Sequence, residues 1–218
     1  MKPVIILTST INVNPKKFCM FQKSPNERLH TYLSNVLQWL YKTNLDIILV
    51  ENSGYTYEEL NDEKDKFADR FEVITYNESE LSESKYLINN DSKGASEIFA
   101  INYAFNNSLL IDSSSFIIKI AGRFFIPELE DYLLEQDLDN YDCLTQYDRD
   151  RCEMIGSHYK NFSYIFNSKL LNEKNKYDSH IENVWKLRTS FYENILVCKK
   201  FIINKAQRGG LDEYLYDI

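Results

Sequence analysis

The strongest constraint on this chain is an alternation in its first half. Short apolar runs, too short for core helices, are separated by segments with a helical period. Residues 4–8 (Val-Ile-Ile-Leu-Thr) are rich in β-branched side chains and read as a buried strand. A polar stretch, residues 9–23, leads into Ser24-Pro25-Asn26-Glu27, a capping box with proline at the first helical position. Leu29, Tyr32, Leu33, Val36, Leu37 and Leu40 then fall on one helical face. Residues 45–50 form a second apolar strand. Thr56 and Glu59 frame another capping box, opening a polar helix to about residue 69, and residues 71–76 read as a third strand. Residues 77–93 are polar and acidic and read as a loop with room for one helical turn. Gly94 then starts a helix that turns Ile98, Ile101, Phe105 and Leu109 inward, before a fourth strand at residues 116–121.

Strand and helix in this order predict an α/β, Rossmann-like chain: a mixed, mostly parallel central sheet with helices on both faces. Ligands of such sheets bind beyond the carboxyl ends of the strands, so polar residues after Thr8, Val50 and Ile120 are expected on one rim. Beyond residue 126 the pattern predicts a short helix from Pro127, strands at 141–147 and 162–166, a helix at 179–191 and a late strand at 195–203. The tail holds Arg208-Gly209-Gly210.

The chain has 218 residues, enough for one substantial core, and reads as a single domain over 1–218. Its net charge of -8 argues against nucleic acid or an anionic membrane as partner, though not against a local basic pocket for a small polyanion. Cys19, Cys143, Cys152 and Cys198 make no C-x-x-C pair, and His30, His158 and His180 are scattered. A structural zinc site or disulfide framework is not expected, and a reducing, cytoplasmic setting is. The first apolar run is too short for a signal sequence or a membrane span.

The segment Phe116-Ile-Ile-Lys119-Ile-Ala-Gly122-Arg123-Phe-Phe125 is the least ordinary in the sequence. Lys119 interrupts an apolar strand, and burying an unpaired ammonium is costly. If the strand runs on to Arg123, the period of two puts both cations on one face, and Gly122 admits a close ligand. Two readings stay open: a diphosphate clamp, or an internal salt bridge from Lys119 to Glu97 or Glu51. Ser92-Lys93-Gly94-Ala95-Ser96-Glu97 reads as a helix start whose free amides and Lys93 suit phosphate, or as Gly94 capping with Glu97 at the third position. Arg28 in a first helical turn opposes the dipole, and is either a solvent contact or faces a bound anion. Thr8, Ser9 and Thr10 follow the first strand. Glu51, Asn52 and Ser53 end the second and read either a base or ribose, or simply a turn.

Asp178 and Glu182 open a late helix. One is a candidate general base, against the alternative that Ser179-His-Ile-Glu182 is a capping box. Asp148-Arg149-Asp150 is the one D-x-D triplet; its carboxylates, Asp148 and Asp150, are either metal ligands or a surface charge run.

In chain order, Val4-Ile-Ile-Leu-Thr-Ser-Thr10, Arg28 with Tyr32 and Trp39, Val50-Glu-Asn-Ser-Gly-Tyr55, Lys93-Gly94 with Glu97, and Lys119-Ile-Ala-Gly-Arg123 resemble GT-A type glycosyltransferases. More narrowly they resemble short transferases of bacterial surface-polysaccharide clusters and large DNA viruses. The resemblance covers roughly the first 130 residues. It implies a GT-A-like fold with a nucleotide-sugar donor half (1–125) and an acceptor half (126–218). It also implies a hexosyl- or deoxyhexosyltransferase in polysaccharide biosynthesis, working with inversion. The donor would be a nucleoside-diphosphate sugar, a UDP-sugar first, and the acceptor a hydroxyl of a glycan or glycoconjugate. Thr8, Ser9 and Glu51 would contact the nucleoside, and Arg28 and Lys93 would approach the phosphates. Lys119 to Arg123 occupies the place where many such enzymes carry a metal-binding D-x-D, so the usual Mn2+ or Mg2+ is in question and a side-chain cation is expected to replace it. Little chain follows the fourth strand for an acceptor subdomain, which leaves room for a partner or companion domain. The alternatives are a nucleotidyltransferase, against which residues 9–15 lack glycine, and a non-catalytic binding or scaffold protein on the same fold.

Overall fold

The computed structural model describes residues 1–17, 21–208 and 212–218; Cys19, Gly209 and Gly210 lie outside the described residues. The first half is β1 (Lys2–Ser9), α1 (Pro25–Lys42), β2 (Asp46–Glu51), α2 (Asn61–Lys66), β3 (Phe71–Thr75), α3 (Lys93–Asn107) and β4 (Ser115–Ala121). Then follow α4 (Leu129–Leu134), β5 (Cys143–Thr145), β6 (Met154–His158), α5 (Phe162–Ile165), α6 (Ile181–Thr189), β7 (Ile195–Val197), β8 (Ile202–Gln207) and β9 (Tyr214–Asp217).

Seven strands form one sheet in the order β3-β2-β1-β4-β6-β5-β7, and β8 and β9 form a separate antiparallel pair. β1, β2, β3 and β4 are mutually parallel; β6 runs against both β4 and β5, and β7 is parallel to β5. The sheet is thus mixed and mostly parallel, an α/β arrangement. Side-chain alternation splits its core in two. Ile5, Leu7 and Ile118 pack with Val36, Trp39 and Leu40 of α1. Val4, Ile6 and Ile117 pack with Ile98, Ile101 and Ala104 of α3 and with Trp185 of α6. Each Val, Leu or Ile among them contributes about 1.5–3 kcal/mol on full burial.

The connections place a crevice. The chain leaves β1 through α1 to β2 and β3 on one side. It then returns through α3 to β4 on the other side. The strand order therefore reverses at β1, and helices on opposite faces diverge from its carboxyl end, the place where open α/β sheets bind ligands.

Local signals explain most boundaries. Ser24 caps α1, its Oγ accepting the Glu27 amide at 3.4 Å, with proline at the first helical position. Other expectations need correction. α3 is capped by Ser92, whose Oγ accepts the Ala95 amide at 3.3 Å, so Gly94 lies inside the helix and is not its cap. α3 ends at Asn107, leaving Leu109 93% exposed rather than inward. Thr56 caps nothing: Tyr57 adopts a left-handed φ of 50° ahead of a 3-10 turn, and the polar helix stops at Lys66. Residues 162–166 are helical rather than a strand. Phe162 and Phe166, four apart, share one helical face, and Phe162 stacks on Phe105 of α3 with ring centroids 3.7 Å apart. The late strand divides at 198–201, so β7 joins the main sheet and β8 turns away to β9. β6 and β9 have no counterpart in the sequence reading. Among the described residues, no helix is long and apolar enough to cross a membrane.

β4 ends at Ala121, and Gly122 continues its contact with β1 by donating its amide to the Thr8 carbonyl at 2.9 Å. A Cβ on Gly122 would stand 2.8 Å from that oxygen, which is backbone and cannot yield alone. Gly122→Ala is expected to destabilise the fold by about 1–3 kcal/mol through overpacking, read as a lower urea midpoint with an unchanged slope.

Candidate functional site

A cavity of about 1030 Å³ opens at the carboxyl ends of β1, β2 and β4. Thr8, Ser9 and Thr10 line it from β1, Asn52 and Ser53 from β2, and Arg28 and Tyr32 from α1. Lys119 and Arg123 line it from β4 and its exit, Lys93, Gly94 and Glu97 from α3, and Glu182 from α6. Glu51, Gly122, Asp178, Asp148 and Asp150 are not among its lining residues.

Lys119 is 1% exposed. Its Nζ lies 2.7 Å from Glu97 Oε1, donates to the Cys152 carbonyl at 2.8 Å, and sits 5.0 Å from the centre of the Trp185 ring. Burial works to lower its pKa, but the Glu97 carboxylate and its hydrogen bond outweigh that, and the net direction is upward. Of the two open readings, the structure takes the internal pair with Glu97 and not with Glu51. Glu97 reaches Lys119 because α3 starts at Lys93, which turns its second turn toward β4. Glu97 Oε1 also accepts the Thr8 hydroxyl at 3.1 Å. Arg123 does not share a strand face with Lys119, since the chain turns at Ala121, where the Phe124 amide donates back to the Ala121 carbonyl at 3.0 Å.

Arg28 is not a solvent contact: it is 2% exposed. Its Nε donates to the Thr10 carbonyl, its Nη1 to the Gln22 carbonyl at 3.1 Å and its Nη2 to the Tyr32 hydroxyl at 2.7 Å. All three acceptors are neutral. Burial pushes its pKa down and the neighbouring Arg123 guanidinium pushes the same way, while Tyr32, Tyr57 and Glu51 oppose them without reversing the direction. Arg123 Nη1 is buried without a hydrogen-bond partner, while its carbonyl is held by Asn35 Nδ2 of α1 at 2.9 Å. Among the described residues neither guanidinium forms an ion pair. Two like charges therefore face one cavity, and a buried charge left in that state is unfavourable until an anion arrives.

Several other candidates organise the rim. Ser9 Oγ donates to the Val50 carbonyl at 3.0 Å, and Thr10 Oγ1 to Asn52 Oδ1 at 2.6 Å, tying the ends of β1 and β2 together. Glu51 is fully buried. Its carboxylate accepts the amides of Ile11 at 2.9 Å, Ser53 at 2.8 Å and Tyr55 at 2.8 Å, and the Ser53 hydroxyl. Burial raises its pKa and those bonds pull it back. Lys93 is the first residue of α3. Gly94 lets α3 meet α6, because a Cβ there would stand 2.6 Å from Ile181 Cβ.

The acidic candidates separate. α6 is capped by His180, so Glu182 is its second residue and cannot close a box with Ser179. Asp178 is spent on that helix start: it accepts the His180 amide at 2.8 Å and Asn183 Nδ2 at 3.3 Å. Glu182 faces the cavity with no hydrogen bond or ion pair among the described residues. Asp148 accepts the Asp150 amide at 3.0 Å, and Asp150 pairs with Lys186 on the surface. Among the described residues no group of three or more His, Cys, Asp or Glu could hold a metal ion. The sequence reading missed Arg208, which lines the cavity from the β8–β9 hairpin, and Glu153, which lies 3.5 Å from it. Both come from the second half, where no motif marked them.

No protein-family model matches the chain, and a search of the curated proteins gives no match. Solved structures do match. The apo structure of WbbM, described as a bifunctional glycosyltransferase, has a TM-score of 0.51 at 10% identity over 90% of this chain. The chain spans only 38% of the WbbM chain. A candidate nucleotide-diphospho-sugar transferase from Desulfovibrio desulfuricans G20 has a TM-score of 0.47 at 16% identity, covering 91% of this chain and 80% of that one. The galactosyltransferase LgtC, in complex with donor and acceptor sugar analogues, has a TM-score of 0.46 at 9% identity, covering 88% and 72%. Identities this low speak for the fold alone, and the WbbM match carries that argument.

The Glu51 geometry has a direct consequence. Glu51→Gln replaces one acceptor oxygen by an amide donor facing backbone N–H groups. The variant is expected to lose about 1–3 kcal/mol of stability, measured by urea unfolding, although neutralising a buried charge alone would favour folding.

Proposed function

On this GT-A-like fold, we propose that the cavity binds a nucleoside-diphosphate sugar and that the protein is a glycosyltransferase, passing the sugar to a hydroxyl of a glycan or glycoconjugate. One observation carries the reading: Arg28 and Arg123 are neighbouring guanidinium groups on the cavity wall with no carboxylate ion-pair partner among the described residues. A diphosphate supplies the missing negative charge, and its oxygens match the planar fork of arginine. The positive end of the α3 dipole, with Lys93, adds a second electropositive edge.

Ser9, Asn52 and Ser53 would flank the nucleoside, with a UDP-sugar as the first candidate donor. The metal position is where this chain departs from a D-x-D enzyme. The exit of β4 is Ala121-Gly122-Arg123, which offers no oxygen side chain, and Mn2+ or Mg2+ needs several oxygen ligands. The residues present do not fit such an ion, so the guanidinium groups are assigned the charge on the departing diphosphate. Glu182, unpaired in the cavity, would take the proton of the acceptor hydroxyl as it attacks the anomeric carbon. Direct attack inverts that carbon, and the transferred unit would be a hexosyl or deoxyhexosyl group. Residues 126–218 would provide the acceptor half, since α6 brings Glu182 to the cavity. The three described cysteines are free thiols, which favours a cytoplasmic setting.

Calorimetry against UDP, GDP and TDP and their sugars tests the donor site. Binding is expected with and without a chelator, and a strict requirement for manganese would remove the metal-free part of the proposal. Arg123→Ala should weaken nucleoside diphosphate binding about 10- to 100-fold. If no nucleoside diphosphate binds, the chain is a scaffold on this fold and not a transferase. Glu182→Gln should lower kcat about 10²- to 10⁴-fold with donor affinity intact. The anomeric configuration of the product, read by NMR, decides inversion.

A further inference from the structure

Lys119 answers its own burial by pairing with Glu97, but Glu97 is more exposed than a counter-ion requires. A carboxylate that served only to neutralise a buried lysine would be sealed with it. The Glu97 side chain instead remains 22% exposed, against 1% for Lys119, and lines the cavity. The two bonds it accepts, from Lys119 Nζ at 2.7 Å and the Thr8 hydroxyl at 3.1 Å, both fall on Oε1. Among the described residues, nothing bonds Oε2. One oxygen is therefore anchored and the other is left as an acceptor.

Charge and position select what that acceptor takes. An ionised carboxylate only accepts hydrogen bonds and repels phosphate, so its ligand must bring a donor, and a sugar brings hydroxyls. Lys119 and Glu97 lie on the α3 side of the sheet with Trp185, whereas Arg123 is tied by its carbonyl to α1 on the other. The nucleoside candidates Asn52 and Ser53 lie at the end of β2. A donor whose diphosphate sits at Arg28 and Arg123 then carries its sugar away from β2, toward β4, α3 and α6. Glu97 and Glu182 face that end of the cavity.

Resting on the donor reading above, we infer that Glu97 accepts hydrogen bonds from hydroxyls of the transferred sugar through Oε2, and that Lys119 is the residue that positions it. Lys119 touches no ligand in this account. It fixes the Glu97 rotamer through Oε1, and Thr8 supports the same oxygen. Sugar selectivity is then set by a carboxylate on α3 rather than by the β4 exit.

The test compares two ligands, the nucleoside diphosphate and its sugar conjugate, on wild-type protein, Glu97→Gln and Lys119→Met. Glu97→Gln is expected to bind the bare diphosphate within about twofold of wild type and to bind the sugar conjugate about tenfold more weakly. Donor analogues lacking one sugar hydroxyl each provide the sharper readout. For the hydroxyl that Glu97 meets, wild-type and Glu97→Gln affinities should converge; for the others the gap should persist. Lys119→Met should show the same ligand discrimination, and the double variant Glu97→Gln with Lys119→Met, which removes both charges together, keeps the test decisive if either single variant fails to fold. Equal weakening of both ligands, or of neither, overturns the assignment while leaving the donor site standing. Failure of the wild-type protein to bind any nucleoside diphosphate overturns the donor reading and this inference together, and is visible before any variant is made.

Discussion

An ammonium group in the middle of a sheet has to be neutralised where it stands, and in this fold that requirement locks three elements at once. Lys119 enters from β4, Glu97 answers from α3, and the Cys152 carbonyl closes the remaining side just before β6. Thr8 of β1 joins through the same carboxylate oxygen. Removing the Glu97 charge would leave the Lys119 ammonium buried and uncompensated, which costs about 3–5 kcal/mol. The pair thus ties the sheet to the helix at the point where the strand order reverses, and it does so on the wall of the cavity.

The same geometry separates two kinds of cation. Lys119 has spent its charge on Glu97. Among the described residues Arg28 and Arg123 have not spent theirs, because Arg28 donates to carbonyls and a tyrosine hydroxyl and Arg123 Nη1 to nothing. An overall charge of -8 therefore coexists with a concentrated positive spot. Net charge governs long-range encounter, whereas a guanidinium pair in a concave, partly dry site governs which small anion stays.

Legibility in the sequence followed the range of the forces involved. Local signals were readable: the Ser24 cap, the apolar runs of β1 to β4 and their helices, and hence a mixed, mostly parallel sheet, depend on neighbours in the chain. Signals that require a partner far away were not. Phe162 and Phe166 read as a strand because their helical face is set by Phe105, more than fifty residues earlier. β6 was invisible because Gly156 breaks its apolar pattern, although a Cβ there would crowd Ile117 O at 3.2 Å. At the site, residue types were legible and roles were not. Lys119 stood between clamp and ion pair until the register of α3 was known. That register turned on one residue, the choice of Ser92 over Gly94 as cap.

That two-residue shift reorganises the chemistry of the cavity. With Gly94 as cap, Glu97 would sit in the first turn, bent back on its own helix start and unable to serve anything else. With Ser92 as cap, Glu97 lies two residues deeper, in the second turn, and points at β4, while Gly94 is freed to let Ile181 of α6 pack against α3. The same packing brings Glu182 to the cavity, and Ser92 secures it by donating its hydroxyl to the Ser179 carbonyl at 2.9 Å. One cap therefore positions two of the cavity's glutamates, one anchored by a lysine and one without a partner among the described residues. Two carboxylates in such different surroundings differ in freedom: two bonds to one oxygen hold the first in a fixed orientation, and no bond among the described residues holds the second.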